Sequence, residues 1–149
     1  HRERTFGGTG NVRSEPIARR GAVLYAGEAA GLQDALWGFG MRFALISGHM
    51  AARALLARAP RDYETSLRQR FAGFLRTSVV NRYFYERLGD AGYAWLLRRI
   101  NRATDAREWL RRFYAPSLWK SLCFPVARAA VEAGRRRAEA AVRAAHATV

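Results

Sequence analysis

The glycines between residues 27 and 40 constrain this chain more than any other feature. Ala22-Val23-Leu24-Tyr25-Ala26 is an apolar run of strand length, and Gly27-Glu28-Ala29-Ala30-Gly31 ends it with small residues and one acid. A short loop leads to Gly38-Phe39-Gly40, which opens a helix running to about Ala59, before Pro60. Glycine at such junctions lets backbone come close to a ligand or to another segment. The first N–H groups of a helix and the positive end of its dipole attract phosphate or another electron-rich group. A buried strand, a carboxylate at its end and a glycine-bracketed helix start therefore form a nucleotide-binding arrangement. Gly48, in mid-helix, costs about 1 kcal/mol relative to alanine. With Ala44, Ser47, Ala51 and Ala52 it makes a small-residue face, expected to pack closely on a sheet.

Twelve positions in this stretch fit one pattern in register: Gly27, Ala29, Ala30, Gly31, Gly38, Gly40, Met41, Ala44, Ser47, Gly48, Ala51 and Ala52. On these residues, residues 1–58 resemble the second FAD-binding motif of the flavoproteins that include geranylgeranyl reductases and aromatic-ring hydroxylases. Gly31 and Ser47-Gly48 fit the reductase branch. Glu28 departs from the usual Asp, and Ala35 from a frequent Pro. The resemblance implies an α/β FAD/NAD(P)-binding, Rossmann-like fold. Its flavin site would comprise Gly27, Glu28, Ala29, Ala30, Gly31, Gly38, Phe39, Gly40 and Met41. It also implies FAD as cofactor, NAD(P)H as electron donor and reduction of a carbon–carbon double bond in a hydrophobic, prenyl-type substrate. The location it implies is cytoplasmic, peripheral at a membrane. A monooxygenase or halogenase is the alternative within the class. Glu28 would accept hydrogen bonds from ribityl or ribose hydroxyls; its other reading is a surface carboxylate paired with Arg19 or Arg20.

The chain begins with His1 and holds no G-x-G-x-x-G strand–turn–helix for the ADP half of a dinucleotide. Gly7-Gly8-Thr9-Gly10 lacks the apolar strand before it and the helix after it. The expectation is a C-terminal fragment of a longer flavoprotein. Residues 1–59 would end its FAD-binding domain, with a short strand near residues 11–13, and residues 60–149 would form a helical region packed on it.

Beyond Pro60 the pattern is helical throughout. Asp62 is placed to cap the next helix. Tyr63, Leu67, Phe71, Phe74, Leu75, Tyr83, Phe84 and Leu88 recur at helical spacing, and Gly89-Asp90 breaks the run. A shorter helix follows to Asn101, another starts near Thr104-Asp105, and a last one runs from Ser117, kinked or divided at Pro125. The chain by itself is thus mostly α-helical, with a short β portion at its N-terminal end.

Charge opens a reading from another class. The 149 residues carry a formal charge of +14, and Lys120 is the one lysine among 26 basic residues. Such a chain can be an Arg-rich helical module for anionic membrane or nucleic acid, or simply have solvated basic faces. Charge alone does not assign nucleic acid as a partner. Arg98, Arg99, Arg102, Arg111 and Arg112 are candidates for a diphosphate or lipid headgroups. Trp109, Phe113, Tyr114, Trp119 and Phe124 are candidates for a long apolar pocket, ordinary core being the other reading.

Other chemistry is sparse. Cys123, the only cysteine, allows no intrachain disulfide, and lies in an apolar context that suggests a buried thiol. His1, His49 and His146 are scattered, so no metal site is expected. No catalytic residue can be named; nothing marks Asp34 or His49 as a proton donor. The longest apolar stretch, residues 118–131, is broken by Lys120, Pro125 and Arg128 and is too short and charged to span a bilayer.

Overall fold

A computed structural model describes residues 12–147. Gly7 to Gly10 and Asn11, the first residue of the expected strand near residues 11–13, lie outside them; Val12 and Arg13 are not in a strand. The elements in order are β1 (Arg19–Arg20), β2 (Val23–Leu24), a 3-10 turn (Gly27–Ala30), α1 (Met41–Leu56), α2 (Pro60–Asn101), α3 (Ala106–Phe113) and α4 (Leu118–Ala147). Residues up to Ala72 make one compact unit and residues from Gly73 a second.

In the first unit the expected buried strand at 22–26 is only the two-residue β2. It pairs antiparallel with β1, Arg19 opposite Leu24 and Arg20 opposite Val23. Val23 is 56% exposed, so the apolar run is not a core strand here. Tyr25 N donates to Ala18 O at 2.9 Å, and beyond the run Ile17 N donates to Ala30 O at 2.9 Å. Further in, the Tyr63 hydroxyl donates to Tyr25 O at 2.6 Å. Tyr63, Leu67 and Phe71 lie four residues apart on α2, all buried. This is the stripe expected of an amphipathic helix. Phe71 meets Phe43 of α1 edge-on, with ring centroids 5.4 Å apart.

α1 ends in a Schellman motif: Ala59 N donates to Ala54 O at 2.9 Å and Arg58 N to Leu55 O at 3.0 Å. The residue this motif places in the left-handed region is Arg58, at φ 53°. Pro60 then starts α2, in the first helical position where its missing N–H costs nothing. Asp62 falls in the first turn of α2, not at its cap. The expected cap is displaced because the proline pre-sets the helix two residues earlier; the Asp62 charge still favours the dipole end.

In the second unit α2 is interrupted at Gly89, whose φ of 53° and ψ of −152° only glycine adopts readily. Asp105 caps α3, accepting from Arg107 N at 2.8 Å and Glu108 N at 3.2 Å. α4 runs through Pro125 undivided. Leu75, Val80, Leu96 and Ala127 are among the buried residues, while Cys123 is only half-buried, which corrects its reading as a buried thiol.

Arg58→Gly removes a side chain from a left-handed position, where an L-residue loses about 1–2 kcal/mol. Part of that gain returns as glycine's extra unfolded-state entropy. We expect a net stabilisation of about 0.5–1 kcal/mol, read as a higher urea midpoint at unchanged slope.

Candidate flavin site and aromatic cavities

The glycine loop is held to α1 by one residue on each side. Gly27 N donates to Ser47 Oγ at 2.8 Å, and the same hydroxyl donates to Phe43 O at 2.6 Å. Gly27 has φ +56°, and a Cβ built there would sit 3.0 Å from Ala44 Cβ and 3.2 Å from its Cα. Gly27, Ala44 and Ser47 thus form a single contact in which two backbones meet through a hydroxyl. Three of the patterned positions are explained by this packing, without any ligand.

Gly31 closes the 3-10 turn at φ 75°, its N–H donating to Glu28 O at 2.8 Å. Ala30 is fully buried; Glu28 and Ala29 are exposed. The loop that follows is organised by Asp34, which is 2% exposed. Its carboxylate accepts from Trp37 N at 2.9 Å and Leu36 N at 3.3 Å, and its carbonyl accepts from Gly38 N at 3.0 Å. This is an Asx-type turn, in which a short acidic side chain imitates backbone. Asp34 is therefore a loop builder, a role the sequence reading did not assign.

The turn delivers the chain to Gly38, Phe39 and Gly40. The glycine that needs its special backbone is Gly38, at φ +74°. Gly40 has φ −125°, and its nearest neighbour to an added Cβ is Leu32 O at 4.0 Å. The backbone of Gly40 is therefore one that other residues also adopt. The helix begins at Met41, three residues later than the glycine bracket suggested, since Gly38 is left-handed and Gly40 serves as N-cap. No side chain caps α1, and its first turn contains no acid. Phe39 and Met41 are exposed. The first N–H groups of α1 thus follow exposed Gly38 and Phe39 and half-exposed Gly40, and carry the positive dipole end with no side-chain cap and no acid in the first turn.

Gly48 does not face a close neighbour. Nothing lies within 4 Å of a Cβ built there, and Leu45, one turn earlier, is exposed. The small-residue face is filled at Ala44 and Ser47 by the glycine loop, and at Gly48 it is left open among the described residues.

The aromatic and arginine candidates separate into different places in the second unit. Phe113 and Trp119 help line a cavity of about 460 Å³, and Trp109 lines another of about 340 Å³ with Arg98, Arg99 and Arg102. Tyr114 stacks on Phe74 at 4.8 Å, and Phe124 lies under the Arg76 guanidinium at 5.7 Å; both are half-buried. Arg111 and Arg112 both hold Glu108, at 2.6 and 2.8 Å, and their hydrogen bonds pull its carboxyl down to about 2. Lys120 is buried, and desolvation pushes its pKa down. Among the described residues no group of three or more His, Cys, Asp or Glu can hold a metal ion, and no helix is long and apolar enough to cross a membrane. The chain matches no protein-family model, no curated protein and no solved structure.

Two outcomes check this geometry. Gly27→Ala places a methyl against Ala44 in a left-handed conformation, and should destabilise by about 2–4 kcal/mol from strain and overpacking together. Gly40→Ala meets neither obstacle and should cost no more than about 1 kcal/mol, the usual difference at a cap. Chemical denaturation of both variants separates them. The second outcome concerns Tyr63, whose burial pushes its pKa from 10.0 to about 12. Between those values the unfolded chain loses the phenolic proton while the folded chain keeps it, so stability falls as pH rises. Tyr63→Phe loses about 1 kcal/mol at lower pH with the hydrogen bond. Its deficit relative to the parent should shrink between pH 10 and about 12, measured as the difference in denaturation midpoints.

Proposed function

We propose that this chain forms the C-terminal, flavin-contacting part of an FAD-dependent oxidoreductase that reduces a carbon–carbon double bond in a hydrophobic, prenyl-type substrate. The observation that carries the reading is the start of α1. It has no side-chain cap and no acid in its first turn, and it is reached through exposed Gly38 and Phe39 and half-exposed Gly40. Those N–H groups suit the electron-rich edge of a flavin, which gains negative charge on reduction. Glu28 lies exposed in the 3-10 turn that packs on the same helix through Gly27, Ala44 and Ser47. Its carboxylate would accept hydrogen bonds from ribityl or ribose hydroxyls.

The residues present fit FAD on its flavin side only. No strand–turn–helix of the G-x-G-x-x-G type occurs in the 149 residues, so another segment would hold the ADP half. When bound, FAD supplies the hydride, with NAD(P)H as its source of electrons. The part of this chain is to bind and orient: backbone donors at α1 and an acceptor at Glu28. A monooxygenase or halogenase would use the same cofactor contacts.

The test uses the complete polypeptide that carries this chain, beside the 149-residue chain alone. The complete protein should purify with flavin absorbance, and the chain alone should not retain FAD. Glu28→Ala in the complete protein should weaken FAD binding roughly tenfold or more, the range for a hydrogen bond to a charged group, and Glu28→Asp should be milder. An unchanged dissociation constant for Glu28→Ala would make it a surface acid. A complete protein that stays colourless but co-sediments with anionic vesicles would instead be the Arg-rich helical module, for which the cavity of Arg98, Arg99 and Arg102 between Trp95 and Trp109 speaks.

A further inference from the structure

The one lysine in the chain is also the most enclosed cation among the described residues. Lys120 is 7% exposed and forms part of the wall of the 460 Å³ cavity in the second unit. That volume lies within the range of about 300–1,000 Å³ typical of small-molecule sites. Most of the wall is apolar: Phe84, Leu88, Trp95, Leu96, Phe113 and Trp119. Its charged members are Lys120 and Arg112, and it contains no Asp or Glu among the described residues. Arg112 is already paired with Glu108 and stands 79% exposed. Lys120 is in no ion pair among the described residues.

The contacts of the Lys120 ammonium partly solvate its charge without balancing it, and burial works against that charge. Its ammonium donates to Phe113 O, and to Ala115 O at 3.3 Å. These are carbonyls at the C-terminal end of α3, a favoured place for a cation. The faces of Phe113 and Trp119 lie 5.4 and 5.6 Å from the nitrogen, an arrangement that adds cation–π attraction. All four partners are neutral. An ammonium has three N–H donors, and two are used. Three residues before it, Ser117 also lines the cavity, and its Oγ is buried with no hydrogen-bond partner among the described residues. The site therefore lacks one negative charge and one hydrogen-bonding group, in a chamber otherwise suited to hydrocarbon.

We propose that this cavity binds an amphiphilic monocarboxylate, with its hydrocarbon tail among the aromatic walls and its carboxylate at the Lys120 ammonium and the Ser117 hydroxyl. One lysine is a point charge with a single donor to spare, which matches a compact monoanion; multiply charged phosphates are better served by arginine forks. The inference stands on the second unit alone and holds whether or not the first unit contacts flavin.

Isothermal titration of the 149-residue chain with octanoate and with octanol tests it. Octanoate should bind at least about tenfold tighter than octanol. Lys120→Met should abolish that preference while leaving octanol affinity within a few-fold. Because a basic surface attracts any anion weakly, a second variant, Leu88→Trp, narrows the cavity from an exposed position with Lys120 intact. It should weaken both ligands by about tenfold. Equal binding of the two ligands by the parent chain overturns the proposal, as does a preference that survives Lys120→Met or octanoate binding that survives Leu88→Trp. Should circular dichroism show that Lys120→Met does not fold, the parent and Leu88→Trp titrations decide the matter.

Discussion

A single hydroxyl organises the first unit. Ser47 Oγ accepts the Gly27 N–H and donates to the Phe43 carbonyl, so one buried group satisfies a loop donor and bonds back to its own helix. A serine inside a helix is usually neutral or unfavourable because it competes for backbone. Here that competition is put to use, since the hydroxyl is held by its own helix and aimed at another segment. The contact works only because Gly27 has no side chain and Ala44 almost none. It sets where the 3-10 turn sits, and with it Glu28. The other end of the segment, from Gly31 to Gly38, is shaped by the Asp34 carboxylate.

Seen this way, the patterned residues have two kinds of work. Gly27, Ala44 and Ser47 join backbone to backbone, and Ala30 is core. Gly38, Phe39, Gly40 and Met41 are exposed or half-exposed, with Gly38 and Phe39 tied through their backbone to the Asp34 turn. The first group accounts for the fold of the loop. The second lies at the exposed start of α1, and the proposed flavin contacts rest on it.

The helices were legible because their signals are local and repeated. Tyr63, Leu67 and Phe71 announce a buried stripe by spacing alone; Pro60, Gly89 and Asp105 mark boundaries through backbone chemistry that needs no partner. What escaped was tertiary or lay in single torsions. A two-residue strand has no period to read, so Ala22 to Ala26 looked longer than β2 is. Glycine identity does not reveal which of Gly38 and Gly40 is left-handed. Tyr63 reaches Tyr25 across 38 residues, and nothing local to either residue points to the other. Asp34 is different: an acid two residues before two successive loop N–H groups is a recognised turn signal, and it was available in the sequence.

The use of arginine for all but one cation has an effect beyond binding. Guanidinium groups keep their protons past pH 12, whereas an exposed lysine side chain neutralises near 10.4. With its only lysine enclosed, the surface cations of this chain keep their protons in alkali. Raising the pH strips phenolic and terminal protons but leaves the cationic surface in place. Electrostatic self-repulsion, which keeps molecules of like charge apart in solution, therefore persists in base, where a lysine-rich counterpart of the same net charge would approach neutrality and associate.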